Sequence, residues 1–356
     1  MTTTCDQKHG KNPRLRSFLY NPYALRIRAA DADAAWAWLS DAVAGHLAHR
    51  RIALVKGSGA AGALPAGAGI SLLESNGLRV LTYAADTDAY GPPWPLVDAD
   101  WAIAVVAEPG IDGLVLETDG PCGEVRTLPA DVSPGEGARI IEELMAREAS
   151  ALPLRGLVLV GGRSTRMGED KAGIAYHGAP QAQRAYELLA PHCSETYISC
   201  RPDQAGDPLL SQWPQIHDKI QGAGPLGGIV SALKHDPNAA WLVLACDLPY
   251  CGKETVAGLV QGRNPYKLAT AYRSGHDGFP EPLCAIYEPK SLLRLLHFYG
   301  VGYHCPRKAL INSDTRILEP VRPEALANVN TPEDREQAER RLAGSSGERR
   351  PNDGQS

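Results

Sequence analysis

Residues 157–171, LVLVGGRSTRMGEDK, place a glycine pair and three cations directly after a run of apolar residues. The residues concerned are Gly161, Gly162, Arg163, Arg166 and Lys171. A glycine pair lets backbone N–H groups approach an anion without a Cβ in the way, and arginine and lysine bind phosphate oxygens. No G-K-[ST] ends the segment, so it is not a Walker A loop, and it is not G-x-G-x-x-G either. The segment favours a triphosphate site over a tight turn with solvated arginines.

A second candidate for chemistry is the aspartate in LVLACDLPY, residues 242–250. Asp247 comes at the end of a strongly apolar segment, where an unpaired carboxylate is costly to bury. A bound Mg²⁺ would offset that cost, since carboxylate oxygens are the ligands that this ion prefers. Asp247 is therefore the candidate metal ligand, and the alternative is an aspartate that caps the following segment.

Several segments of the second half match one family in the same order. LVGGRSTRMGEDK (159–171) resembles the signature of the molybdenum cofactor guanylyltransferase family, L-A-G-G-x-S-x-R-M-G-x-D-K, with Val160 where the family usually has alanine. The later segments similar to that family are IHDKIQGAGPLGGI (216–229), LVLACDLPY (242–250), EPLCAIYE (281–288) and NVNTPED (328–334). The resemblance covers about residues 154–342, and its ordered set of motifs is more specific than any one of them.

The resemblance implies roles for individual residues. The backbone of Leu159, Val160, Gly161 and Gly162 would cradle the nucleotide, and Arg166 and Lys171 would neutralise the triphosphate. Asp218 would face the sugar and base, Ser199 stands where the family often has asparagine, and Asp247 would hold Mg²⁺. The turn that would separate nucleotide from acceptor contains Gly224, Pro225, Leu226, Gly227 and Gly228. Asn328 and Asn330 would donate amide hydrogen bonds to a bound pterin.

The implied reaction is transfer of GMP from GTP to molybdenum-loaded molybdopterin, with release of pyrophosphate. Molybdoenzymes or their chaperones would be the partners that receive the product. Three alternatives stay open at this point: a CTP-dependent relative, a sugar-phosphate nucleotidyltransferase, and a non-catalytic protein that binds or delivers the cofactor. CTP-dependent members usually carry A-A-G where this chain has V-G-G, so the sequence favours guanine.

Strand and helix patterns alternate through residues 154–342, which predicts an α/β fold with helices on both faces of a sheet. With the resemblance, this becomes a three-layer, Rossmann-like nucleotidyltransferase domain with a mostly parallel sheet. Ligands of such sheets bind at the carboxyl ends of the strands, which is where the glycine segment and Asp247 would lie.

Residues 16–150 predict a smaller α/β domain of unknown role. Residues 31–50 have a helical pattern that Asp31 or Asp33 could cap, and residues 138–150 form an amphipathic helix before a boundary at Leu152–Pro153. Residues 51–83 are consistent with a strand, a glycine-rich loop, a helix and a strand. That order faintly resembles the P-loop GTP-binding partner of the same pathway, but the Lys-Ser/Thr of a P-loop is missing.

The composition describes a soluble globular protein. Of 356 residues, 44% are hydrophobic and 22% are charged, and the net charge of −5 argues against a nucleic-acid partner. The apolar runs are too short to cross a membrane, the N-terminus lacks a secretory signal, and the eight cysteines include no C-x-x-C pair. We therefore expect a cytoplasmic protein with reduced thiols, and disorder in residues 1–15 and 343–356.

Overall fold

The structure, a computed structural model, describes residues 24–48, 50, 52–56, 69–75, 78–84, 100–118, 120–160, 171–220, 222–329 and 331–346. Residues 55–56, 69–75, 78–84, 171 and 343–346 are described as backbone alone. The predictions for residues 1–15 and 347–356 lie outside this set. Within it, no helix is both long and apolar enough to span a bilayer.

The first half of the described chain contains a sheet in the order β3-β4-β2-β5-β1-β6-β7. Its strands are β1 (Ala24–Ala29), β2 (Ile52–Lys56), β3 (Gly69–Ser75), β4 (Leu78–Ala84), β5 (Trp101–Ala107), β6 (Leu114–Thr118) and β7 (Val125–Leu128). The central strand β5 runs parallel to β1 and β2, and the outer strands pair antiparallel. This half is an α/β unit, as predicted.

Two helices pack on one face of this sheet: α1 (Ala32–His46) and α2 (Pro134–Ala151). The carboxylate of Asp31 caps α1 by accepting from the backbone N–H groups of Asp33 and Ala34, each at 3.0 Å. Helix α2 begins four residues before the predicted start because Ser133 caps it and Pro134 fits its first turn. The boundary at Leu152–Pro153 is a two-residue step into the next strand.

The helix expected within residues 51–83 was wrong. Strand β3 occupies that position, and it pairs antiparallel with β4 in a register that ends at Ser75 opposite Leu78. The two residues between the strands are Asn76 and Gly77, a dipeptide that favours hairpins. A P-loop leads into a helix, so this strand removes support for the P-loop resemblance; the glycine-rich stretch itself, 57–68, lies outside the described residues.

The second half contains a sheet in the order β10-β9-β8-β11-β13-β12-β14. Its strands are β8 (Leu154–Leu159), β9 (Thr196–Cys200), β10 (Gln215–His217), β11 (Ala240–Ala245), β12 (Ala269–Arg273), β13 (Pro280–Tyr287) and β14 (Thr315–Leu318). Every neighbouring pair is parallel except those that involve β13. The mostly parallel sheet is confirmed.

Helices cover both faces of the second sheet. They are α3 (Gln181–Leu189), α4 (Pro225–His235), α5 (Lys253–Gln261), α6 (Ser291–Gly300), α7 (Pro306–Ile311) and α8 (Pro332–Ser346). Buried residues of α4, α6 and α7 form one apolar cluster with Trp241 and Val243, whereas α3 and α5 belong to the other cluster with Leu242 and Leu244. Strand β11 is therefore buried on both faces, as its apolar sequence predicts. Helix α8 continues to Ser346, into the tail predicted to be disordered.

The two sheets meet through an aromatic contact. The rings of Trp101, at the start of β5, and Tyr266, just before β12, pack edge to face with centroids 5.9 Å apart. The Arg50 guanidinium lies 5.2 Å from the first ring centroid and 4.9 Å from the second. Because β12 has the same direction as β11, this contact lies at the amino edge of the second sheet, as does the chain entry into β8.

Candidate functional site

The four parallel strands β8 to β11 end at one edge of the second sheet, and the predicted residues within the described chain follow that edge. The residues at or just past the strand ends are Leu159, Val160, Ser199, Asp218 and Asp247. From β10 to β11 the sheet advances by three strand spacings, about 14 Å. The edge therefore separates Asp218 at one end from Asp247 at the other, with the exit of β8 between them.

Ser199 and Asp218 are in direct contact. The Ser199 hydroxyl donates to the Asp218 carboxylate at 2.8 Å, and Ser199 itself is buried. Burial raises the pKa of Asp218, while the bond from Ser199 and the nearby Arg201 charge lower it. A Cβ on Gly228 would lie 2.5 Å from the Ser199 Oγ and 2.8 Å from the Leu159 Cδ2. Helix α4 can pack this close to the edge because Gly228 has no side chain.

The backbone N–H of Val160 does not face the nucleotide site, although the family resemblance implied that it would. Its N–H donates to the Ser199 carbonyl at 3.2 Å, so this group continues the sheet and is not available to a nucleotide. Its side chain is 3% exposed and packs in the core, which accommodates a residue larger than the usual alanine. Gly161, Gly162 and Arg166 lie outside the described residues; Lys171 begins a short 3₁₀ turn, and its side chain is not described.

The G-P-L-G-G turn starts helix α4 as expected. Gly224 has φ +56°, a conformation that favours glycine, and Pro225 occupies the first turn of the helix. Both residues are exposed at the edge, but the side chain of Leu226 is fully buried in the core. Gly227 is buried, and a Cβ there would lie 2.7 Å from the Ile220 carbonyl oxygen. A wall between two ligands could thus use Gly224 and Pro225, whereas the Leu226 side chain contributes to packing.

The segment after β11 is joined to the N-V-N segment. The backbone N–H of Val329 donates to the Asp247 carbonyl at 3.0 Å, which places the exposed Asn328 beside this aspartate. Asn330 lies outside the described residues. Thr331 caps α8 reciprocally: its hydroxyl accepts from Asp334 N at 3.1 Å, and its N–H donates to the Asp334 carboxylate at 3.0 Å. This cap fixes the chain directly after the N-V-N segment.

Sequence reasoning did not identify Glu281 as part of this edge. The antiparallel register of β11 and β13, which pairs Leu244 with Cys284, places Glu281 opposite Asp247 when continued by three residues. Glu281 is buried, and its carboxylate binds the Arg307 guanidinium at 3.0 Å. Burial raises the pKa of Glu281, the Arg307 charge lowers it, and the Asp247 charge raises it. EPLCAIYE predicted a strand, but not its direction, and only the direction brings the two carboxylates together.

Tyr176 also lies near the Asp247 carboxylate. Burial is the main cause that raises the pKa of Tyr176 to about 12, and the negative charge of Asp247 adds to the increase. Its phenol therefore stays protonated at neutral pH. The edge thus carries two carboxylates in different surroundings. Asp218 accepts a hydrogen bond from Ser199, and Asp247 lies near the buried Glu281 and the phenol of Tyr176.

Comparison with known proteins identifies the second half. The family described as "MobA-like NTP transferase domain" matches residues 156–314. A molybdenum cofactor biosynthesis bifunctional protein from Synechocystis sp. is 38% identical over 200 residues, which cover 56% of this chain and 58% of that relative. A probable molybdenum cofactor guanylyltransferase from Nostoc sp. is 31% identical over 183 residues, which cover 51% of this chain and 88% of that protein.

A solved structure titled molybdopterin-guanine dinucleotide biosynthesis protein A, from Archaeoglobus fulgidus, is 24% identical. It has a TM-score of 0.46 and covers 53% of this chain and 99% of that one. The sequence relatives carry the assignment: the Nostoc protein matches along 88% of its length, and the family match at residues 156–314 includes Ser199, Asp218 and Asp247. Through its C-terminal half, the chain belongs to the molybdenum cofactor guanylyltransferase family, whose domain is a nucleotidyltransferase.

Proposed function

We propose that the protein transfers GMP from GTP to molybdenum-loaded molybdopterin, forming the guanine dinucleotide cofactor and pyrophosphate. The observation that carries this proposal is the arrangement of Leu159, Ser199, Asp218 and Asp247 along one strand edge. Asp218 would bind the sugar and base at one end, and Asp247 would serve the phosphates at the other. The nucleotide would then lie across the end of β8, next to the glycine segment.

The proposed reaction needs no proton transfer to a general base. A terminal phosphate oxygen of molybdopterin attacks the α-phosphorus of GTP, the bond from that phosphorus to the β-phosphate oxygen breaks, and pyrophosphate leaves with the electron pair. A phosphate is already ionised at neutral pH, so the nucleophile needs no general base. The protein contributes in-line positioning and neutralisation of charge. We assign the neutralisation to Lys171 and Arg166, close in sequence to the end of β8.

We assign Mg²⁺ to Asp247, which would supply a single carboxylate at this edge. Among the described residues no group of three or more His, Cys, Asp or Glu side chains could hold a metal ion. Magnesium in nucleotide enzymes is held by one or two carboxylates together with phosphate oxygens and water, which is what Asp247 at a strand end can offer. When bound, the ion would neutralise charge on the phosphates.

The acceptor would bind on the far side of Asp247. Asn328 is exposed there, and the hydrogen bond from Val329 to the Asp247 carbonyl holds it beside that residue. We assign the pterin amide contacts to Asn328 and Asn330, and the partition between the two ligands to Gly224 and Pro225. We further propose that the product passes to molybdoenzymes or their chaperones in the cytoplasm, without involvement of nucleic acid or membrane.

The test is pyrophosphate release by the full chain with loaded molybdopterin, Mg²⁺ and each of GTP, CTP and ATP. We expect release with GTP, and its loss in Asp247→Ala and Lys171→Ala. Preference for CTP would replace guanine by cytosine in the assignment. Nucleotide binding without pyrophosphate release would instead identify a protein that binds or delivers the cofactor. Wild-type rates in both variants would refute the site.

A further inference from the structure

Three side chains from residues 177–184 reach backbone carbonyls on both sides of Asp247. We call residues 246–251 the Asp247 loop. The three side-chain contacts are His177 Nε2 with the Pro249 oxygen at 2.8 Å, Gln181 Nε2 with the Cys246 oxygen at 3.4 Å, and Arg184 Nη2 with the Cys251 oxygen at 3.0 Å. The acceptors stand one residue before, two after and four after the aspartate. The Asp247 loop is thus held from helix α3 and the turn that precedes it.

The remaining anchors of the loop come from other elements. Cys246 N–H donates to the Leu159 carbonyl of β8 at 3.2 Å, and the Asp247 carbonyl accepts from Val329. Backbone groups beyond a strand end need partners from outside the sheet. In this loop three of those partners are the side chains of His177, just before helix α3, and of Gln181 and Arg184 on it, which tie the loop to the helix that packs beside β8. Such support is what a metal-binding carboxylate needs to keep its geometry.

Gln181 is the informative member of the set. It is 3% exposed, its amide nitrogen donates to Cys246, and its Oε1 has no hydrogen-bond partner among the described residues. Burying an amide with one half unmatched costs stability, and a leucine of similar size would avoid that cost. Packing alone therefore does not explain a glutamine here, whereas a donor aimed at the residue before Asp247 does.

We propose that His177, Gln181 and Arg184 are positioning residues that fix the Asp247 carboxylate relative to the triphosphate. This inference rests on the proposed function, in which Asp247 holds Mg²⁺. Loss of one donor lets the loop shift, and displacement of a catalytic group by about 1 Å costs up to about 100-fold in rate. Ser199 and Asp218 stand at the other end of the edge, so the KM for GTP should change much less than kcat.

The experiment compares Gln181→Leu with Gln183→Leu in the full chain. Gln183 lies on the same helix, but its amide bonds to Glu187 at 2.8 Å on the exposed side, so it is a matched control. We expect Gln181→Leu to unfold at a temperature close to that of wild type, since it loses the bond to Cys246 but also removes an oxygen that has no partner among the described residues. Its kcat should fall about 10- to 100-fold with little change in the KM for GTP. Gln183→Leu should match wild type in all three quantities.

A second readout does not depend on turnover. Mn²⁺ binding in the presence of a GTP analogue that resists α,β cleavage, followed by electron paramagnetic resonance, should weaken in Gln181→Leu and not in Gln183→Leu. Arg184→Met should repeat the kcat loss, and Arg184→Lys should recover part of it because an ammonium can still donate to Cys251. An active wild type with an equally active Gln181→Leu and Arg184→Met overturns the positioning role alone. A wild type that neither turns over nor binds Mn²⁺ with the analogue overturns the proposed function and, with it, this inference.

Discussion

The N-terminal sheet has helices on one face and charged pairs on the other, whereas the C-terminal sheet has helices on both faces. On β1, Leu25 and Ile27 point towards α1 and α2, whereas Arg26 and Arg28 occupy the opposite face. Arg26 binds Glu117 at 3.2 Å, and Arg28 binds Glu108 at 3.0 Å. In the second sheet, Trp241 and Leu242 of β11 enter different cores on its two faces. Two sheets with similar parallel centres thus reach different architectures through the polarity of alternate residues.

The contact with the first sheet and the candidate site lie at opposite edges of the second sheet. Trp101 and Arg50 meet Tyr266 at the amino edge of the second sheet, while Asp218 and Asp247 follow its carboxyl edge. A six-residue strand such as β11 separates these edges by about 20 Å. This aromatic contact is therefore remote from the candidate site, and changes that weaken it should affect stability more than turnover.

The largest expected contrast comes from removing a carboxylate in each half. Asp247→Ala should lower kcat/KM about 1,000-fold, because removal of one electrostatic group from such a site costs 10²–10³-fold or more. Glu117→Ala, which removes two partly exposed ion pairs on the N-terminal sheet, should leave kcat/KM unchanged. Steady-state pyrophosphate release measures both. Equal losses in the two variants would contradict the separation of roles.

Two helical glycines offer the next contrast. Gly228→Ala should destabilise the protein by about 1–3 kcal/mol and raise the KM for GTP, since its Cβ would meet Ser199 and Leu159. Gly45→Ala in α1 should stabilise by about 0.5–1 kcal/mol, because a Cβ there meets nothing within 4 Å. Denaturant unfolding and GTP kinetics measure these effects. A Gly228→Ala protein as stable as wild type would show that Ser199 can move away without cost.

The contact between the sheets should have a smaller effect. Arg50→Ala removes the guanidinium from both aromatic rings, and we expect a loss of about 1–2 kcal/mol of stability with kcat/KM unchanged. Thermal unfolding followed by circular dichroism measures the loss. Arg50→Lys is the control, since it keeps the charge and should lose less. A drop in kcat/KM would show that the halves communicate with the site.

The smallest effect concerns pH and lies within the site. The Ser199 hydroxyl lowers the pKa of Asp218, so Ser199→Ala should raise that pKa further above its ordinary value. An ionised Asp218 is needed to accept hydrogen bonds from the nucleotide, and binding weakens as the pH falls through its pKa. The acid limb of the KM for GTP should therefore move to higher pH in the variant. Profiles from about pH 4 to 8 test this, and an unmoved limb would exclude Asp218 from nucleotide contact.

Much of the second half could be predicted because its signals are local. Alternating strand and helix patterns indicated three layers, and the apolar sequence of β11 indicated a strand buried on both faces. The first half misled where a glycine-rich stretch suggested a helix, although Asn76–Gly77 carries a hairpin signal. Short edge strands such as β10 and β14 have too few alternating residues to be recognised from periodicity.

The site was predictable as a set of residues but not as a geometry. The apolar segment before Asp247 indicated that residue, and the family resemblance of residues 216–229 indicated Asp218. Neither signal could show that the Val160 N–H is used by the sheet, because that depends on the neighbour of β8. Glu281 required the antiparallel direction of β13, and the contacts of Gln181 and Arg184 required the packing of α3. These features depend on pairing between distant segments, which single-sequence patterns do not contain.

The bond from Val329 to Asp247 has a consequence for biosynthesis. Ribosomes produce the chain from its N-terminus, so every strand of both sheets leaves the ribosome before residue 329 does. The Asp247 loop then lacks its hydrogen bond from the Val329 backbone, and Asn328 is not yet held beside it. A nascent chain would thus acquire its fold before its catalytic competence, and activity would appear only as the final helix is released.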